Sequence, residues 1–315
     1  MLLSILCHRS VEGRLRGILD EIGRTAEIVV APDTLGFSIW ARDALIALHG
    51  AEGAIGLIPR TFDRYDDAAA ARLLAEGIGL PVRETDLALQ GGNMLVARDA
   101  LILGSDMQPT TRTGRQELDA LAGGRDLIWI GDARYPEPSE QAMTRNGEAW
   151  TEVLQFARRP GSRQPLFHVD LHIALAGRAD DGRDRIVAGC PRLASEMMGQ
   201  DLPAHALADD LDAAAILLAE SGFEVWRCPM PYLAIKCTES RRMTWTYLPY
   251  PNVWVERSEA GARVCLPAFA HDVAPGLAAM DQSVAALWRH LGFRVTPIPG
   301  CLALAENLGA LNCMG

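Results

Sequence analysis

The 315-residue sequence predicts a mixed α/β protein in which five copies of strand, strand, helix, strand close into a pseudo-symmetric five-bladed α/β propeller. Three observations lead there. Hydrophobic residues make up 49% and charged residues 22%, enough apolar material for a large core in an ordinary globular chain. β-rich runs alternate with period-3.6 segments in a fixed order. The fifth copy is split between the two ends, which gives each terminus a partner, so 1–315 reads as a single domain.

The copies run as follows. From Phe37 come FSIWARDALIAL, AIGLIPR, a helical pattern from Asp66 to Gly77, and PVRET. From Gly91 come GGNMLVARD, ALILGSD, a helix from Thr113 to Leu121, and DLIWIGD. From Phe167 come FHVDLHIALAG, RIVAGC, a helix around Asp209 to Glu220, and FEVWRCP. From Tyr250 come YPNVWVE, ARVCLPAF, a helix from Met280 to Leu291, and FRVTPIP. In that last helix Val284, Leu287 and Leu291 mark an apolar face, and Gly292 stands at the expected C′ position. The fifth copy opens with GALNCM at the end of the chain and continues with LLSILC, a helix from Val11 to Ile22, and AEIVVA at its beginning. The insert Pro136 to Pro165 reads as a surface loop.

Composition excludes several classes. A net charge of −10 argues against a nucleic-acid partner, which needs a basic stripe. No stretch reaches the roughly 20 apolar residues of a membrane span. Met1 to Cys7 breaks at His8-Arg9 and reads as a buried strand, not a leader. The seven cysteines are scattered and never spaced C-x-x-C, which forms neither a disulfide framework nor a zinc site. The expectation is reduced thiols in the cytoplasm, with no metal and no cofactor.

A ring of repeats places the first strand of each unit around one central channel. Those strands carry Trp40 and Asp43, Asn93, His168 and Asp170, Asn252, and Cys313. Polar and ionisable residues in strands that otherwise read as buried call for a site. His168 and Asp170, at i and i+2 of a strand, would share one face. A cysteine beside an imidazole and two carboxylates forms a nucleophile set: the imidazolium favours thiolate, and aspartates bind a planar guanidinium by paired hydrogen bonds. His172 reads as structural.

The order W-x-x-D (Trp40 to Asp43), G-G-N (Gly91 to Asn93), H-V-D (His168 to Asp170) and a terminal N-C (Asn312, Cys313) resembles the guanidino-group-modifying superfamily, the pentein fold. It covers essentially the whole chain. That superfamily includes peptidylarginine, agmatine and arginine deiminases and amidinotransferases. HVD, RIVAGCPRLASEMM and GALNC look most like the peptidylarginine deiminase branch. The resemblance implies a cysteine-dependent deiminase that converts a guanidino group to a ureido group and ammonia. By likeness, Cys313 attacks the guanidino carbon, His168 moves protons, Asp43 and Asp170 clamp the guanidinium, and Trp40 packs on the substrate stem. Asn93 joins the substrate set, and Arg60 or Arg64 contacts the substrate backbone. One departure stands out: arginine and agmatine deiminases carry an acid before Gly-Gly where this chain has Gln90. The implied partner is a small guanidino compound or an arginine-containing peptide. An amidinotransferase with the same residues, a non-catalytic propeller that binds a protein, and a homo-oligomer all stay compatible with the sequence.

Overall fold

A computed structural model describes residues 3–50, 53–60, 65–131, 139–154, 166, 168–203, 205–259, 261–271, 273 and 275–315. The chain divides into two compact units, Met1–Gly91 with Pro109–Leu118 and Met314–Gly315, and Gly92–Gln108 with Asp119–Cys313.

In the first unit, strand Ser4–His8 runs parallel to Glu27–Ala31, with helix Glu12–Glu21 between them. Strand Ile46–Gly50 pairs antiparallel with Gly53–Ile58, which pairs parallel with Val82–Glu84 after helix Tyr65–Gly77. A parallel pair needs such a crossover, because a tight turn returns the chain antiparallel. Ala44, Ile58 and Ala71 form the packed contact between the helices and this sheet.

Three more sheets, in the second unit, repeat the pattern of one antiparallel and one parallel pairing. They are Met94–Val96, Ala100–Gly104 and Asp126–Ile130; Ile173–Arg178, Asp184–Cys190 and Glu224–Pro229; and Trp254–Ser258, Gly261–Pro267 and Arg294–Ile298. The helices between their second and third strands are Arg112–Ala122, then Pro191–Met198 with Ala208–Glu220, then Ala278–His290. One core cluster joins Ile102, Ile130, Ile186 and Leu218; another joins Val264, Leu266, Val284 and Trp288. On the last helix the buried stripe is Met280, Val284, Trp288 and Leu291, and Leu287 lies at its margin. Gly292 follows the helix C-cap with φ +90°, a conformation that glycine adopts without strain.

Four complete copies and three of the four elements of a fifth are therefore present. The predicted opening strand of the fifth is not formed. Asn312–Met314 is a 3₁₀ turn, and the sheet of Ser4–His8 has two strands among the described residues. Turns also replace the starts of the other four predicted opening strands, and the one read from Tyr250 begins only at Trp254. Ala41–Ala44 is a short helix, and Gly91–Asn93 and Val169–Leu171 are 3₁₀ turns, each followed by the shortened strand. Asp43, Asn93, Asp170 and Cys313 sit on these turns, Asn252 lies in the turn before Trp254, and His168 is extended just ahead of its turn.

The insert is not simply a loop. Its described part, Ser139–Arg145 and Glu148–Leu154, forms a hairpin, while its residues 136–138 and 155–165 lie outside the described residues. The hairpin turns at Asn146 and Gly147, both with positive φ. Glu148–Leu154 pairs parallel with Arg242–Tyr247, which pairs antiparallel with Tyr232–Cys237, giving a four-stranded sheet. Ser139–Arg145 is mostly polar and exposed, so it offers little alternation to reveal a strand.

Candidate active site

The sharpest convergence of reactive side chains lies in the second unit. One ligating atom each of His168, Asp170 and Cys313 lies within 4.8 Å of the others, and all three residues are at most 3% exposed. Asp170 and Cys313 are 143 residues apart in sequence. The Cys313 thiol donates to Asp170 Oδ2 at 3.5 Å and approaches Oδ1 at 3.8 Å.

The route to this convergence differs from the strand argument. His168 is extended, with φ −133° and ψ 151°, but Asp170 lies in the following 3₁₀ turn. The turn, not strand alternation, presents both side chains. Asn93 braces it, because its Oδ1 accepts the Val169 N–H at 3.2 Å. Asn93 is buried at 1% exposure, so this bond satisfies an acceptor that burial would otherwise leave unpaired. The Gly-Gly pair has a steric role. A Cβ on Gly92 would lie 2.7 Å from His168 Nδ1 and 3.1 Å from Asp170 Oδ2, and one on Gly91 would lie 2.1 Å from the Arg42 carbonyl oxygen.

Asn252 ties the two halves of the constellation together. It is fully buried, and its Nδ2 donates to the Asp170 carbonyl oxygen at 3.1 Å and to Cys313 Sγ at 3.3 Å. Its Oδ1 accepts the Asn312 N–H at 3.0 Å, which fixes which end of the amide faces the sulfur. Asn312 Nδ2 donates to Asp170 Oδ2 at 2.8 Å. These bonds account for the missing fifth strand, since the Asn312 amide is taken by a side chain and not by a ladder. Sequence reading placed Asn252 among the repeated polar positions without giving it a role. Asn312 belongs to the terminal N-C pair of the sequence, and the structure adds the bond of its side chain to Asp170.

His172 is buried as well. Burial, and then the nearby Arg227 charge, pushes its pKa down to about 3, so it is neutral, and its Nε2 has no hydrogen-bond partner among the described residues.

The remaining predicted residues belong to the first unit. Asp43, 3% exposed, lies on the short helix Ala41–Ala44, with its N–H donating to the Trp40 carbonyl oxygen at 3.1 Å. Trp40 is half-buried, and its N–H donates to Ser38 Oγ at 3.3 Å. The buried Asp67 accepts the Ser38 N–H at 2.6 Å and its hydroxyl at 2.8 Å, anchoring the segment that leads into Trp40. Arg42 Nε donates to the Gly91 carbonyl oxygen at 3.0 Å. Arg60 is exposed, with its N–H donating to the Leu87 carbonyl oxygen at 3.1 Å. Its alternative, Arg64, lies outside the described residues. Gln90, in place of an acid, is 8% exposed.

No protein-family model and no curated protein sequence matches the chain. Solved structures do match it. Agmatine deiminase of Enterococcus faecalis aligns with a TM-score of 0.64 at 12% identity, over 99% of this chain and 81% of that one. Agmatine deiminase of C. jejuni aligns with a TM-score of 0.62 at 14% identity, over 99% and 80%. A structure described as a peptidyl-arginine deiminase aligns with a TM-score of 0.60 at 13% identity, over 99% and 94%. Such deiminases make up part of the superfamily that the W-x-x-D, G-G-N, H-V-D and N-C motifs resemble, and this chain has their mixed α/β fold, that of the guanidino-group-modifying enzymes.

Proposed function

We propose that the protein is a cysteine-dependent hydrolase of guanidino groups, a deiminase that acts on carbon–nitrogen bonds of an arginine-type substrate. The observation that carries this reading is the buried meeting of Cys313, His168 and Asp170. Burial strengthens the carboxylate's pull on a guanidinium, because screening by water is weak there. Asp170 already lies against the sulfur, so a guanidinium clamped by it presents its carbon to Cys313. The Cys313 thiolate forms a bond to that carbon. The carbon–nitrogen bond of the leaving amine then breaks as His168 supplies its proton, leaving an amidino-thioether and ammonia. His168 next takes a proton from water. The hydroxide attacks, the carbon–sulfur bond breaks, and thiolate and a ureido product form. Asp43 is the second guanidinium clamp, Trp40 the surface for the substrate stem, and Arg60 a contact to a peptide backbone. The five repeats are read as one closed ring and one domain.

Cys313→Ala is expected to abolish release of ammonia from arginine, agmatine and blocked arginine peptides, and of ammonia or methylamine from methylated arginines, with far-ultraviolet circular dichroism unchanged. Release by that variant at the wild-type rate would refute the assignment. The same panel, scored for citrulline-type against ornithine-type product with an amine present, separates hydrolysis from amidino transfer.

A further inference from the structure

Asn252 sits on a segment that lies in no strand. Pro249 to Val253 turns on local bonds: Tyr250 N–H to Leu248, Asn252 N–H to Pro249 and Val253 N–H to Pro251, at 2.9, 3.0 and 2.8 Å. Such a turn fixes its own shape but not its place in the molecule. Tyr250, two residues before Asn252, supplies the anchor. Its side chain is wholly buried and meets the Phe269 ring edge-on at a centroid distance of 5.1 Å. Its hydroxyl donates to Asp281 Oδ1. Burial, and then Asp281, pushes the Tyr250 pKa up, so the hydroxyl keeps its proton and remains the donor. Asp281 lies in the first turn of helix Ala278–His290, and it also accepts the N–H groups of Phe269 at 3.1 Å and Ala270 at 3.0 Å. One carboxylate thus joins a core helix, the 269–270 loop and the segment that bears Asn252.

We propose that Tyr250 and Asp281 are positioning residues that hold the Asn252 amide on the Cys313 sulfur and so make the nucleophile easier to deprotonate. The proposal rests on the reading of Cys313 as the nucleophile. A donor on sulfur stabilises thiolate, whereas the Asp170 carboxylate beside it favours the thiol. His168 is the other titratable group facing the sulfur within this constellation. A displacement of Asn252 by a few tenths of an ångström weakens the donor and leaves the opposing carboxylate in place, so thiolate forms at higher pH.

The test reads the thiol directly. Thiolate absorbance near 240 nm is followed against pH for wild type, Tyr250→Phe, Asp281→Asn and Asn252→Ala, each corrected by subtracting its Cys313→Ser derivative. Tyr250→Phe and Asp281→Asn are expected to raise the Cys313 midpoint by about 0.5 pH unit, roughly a threefold loss of thiolate below it. Asn252→Ala is expected to raise it further, and adding Tyr250→Phe to Asn252→Ala should change nothing more. Leu57→Ala, which opens a cavity at a fully buried leucine of the first unit, controls for lost stability and should leave the midpoint in place. Unmoved midpoints in both Tyr250→Phe and Asp281→Asn, or additive shifts in the double variant, would overturn the proposal. Tyr250→Phe keeps the ring and its packing, so it retains the fold for this measurement. Ammonia release does not enter the readout, so failure of the deiminase reading shows separately.

Discussion

At the scale of single residues, the constellation depends on close approaches as much as on reactive groups. Gly92 has no room for a side chain, with His168 Nδ1 and Asp170 Oδ2 at 2.7 and 3.1 Å from where a Cβ would stand. Gly92→Ala must push the turn that bears both residues. We expect a loss of about 100-fold in kcat/KM for the best substrate, as misplacement by about 1 Å produces, together with about 1–3 kcal/mol of stability. Steady-state kinetics and urea unfolding check the two parts. The Asn252 amide is oriented by the Asn312 N–H, so Asn252→Asp puts an acceptor where Cys313 now receives a donor.

Among the elements, the turn that carries the constellation runs directly into a strand whose first neighbour is the neutral His172. The pKa of this imidazole is about 3 in the fold, against an ordinary 6.5. As pH falls below about 6.5 the unfolded chain binds this proton and the folded chain does not. Stability from this residue is therefore intact above pH 6.5 and declines as pH falls toward 3, by up to about 1.4 kcal/mol per pH unit. Urea unfolding at pH 7, 6 and 5 should show this slope, and His172→Gln should flatten it. In the same unit, Gly292→Ala places a Cβ at φ +90° after helix Ala278–His290. It should cost about 1 kcal/mol in the same assay without altering kcat.

Across the whole molecule, a formal net charge of −10 sets a field that draws cations. For a cationic guanidino substrate, kcat/KM should fall severalfold between low and physiological salt, as the screening length contracts from about 30 to about 8 Å. A neutral acylguanidine analogue should show little change. Equal salt dependence for both would remove steering as a contribution. Among the described residues no helix is long and apolar enough to cross a membrane.

The order of strands and helices within the four complete copies was legible in the sequence because it is written in local periodicity. Apolar residues recur every second position where a sheet must be covered, and every third or fourth where a helix must be. Of the Val284, Leu287 and Leu291 face, Val284 and Leu291 are buried and Leu287 is partly so, and neither this face nor the Gly292 stop needs a distant partner to be read. The residues His168, Asp170 and Cys313 were also legible, through motif order. What the sequence left undecided depends on contacts between distant segments. Periodicity continues through residues 167–177 and 309–314, but Asn93, Asn252 and Asn312 supply hydrogen bonds that turn the chain there instead of extending it. The four-stranded sheet joins Glu148–Leu154 to Arg242–Tyr247, a pairing that no local pattern announces. Period marked the elements of the repeats; side-chain hydrogen bonds across 60 to 143 residues decided where they give way to the turns that carry Asp170 and Cys313.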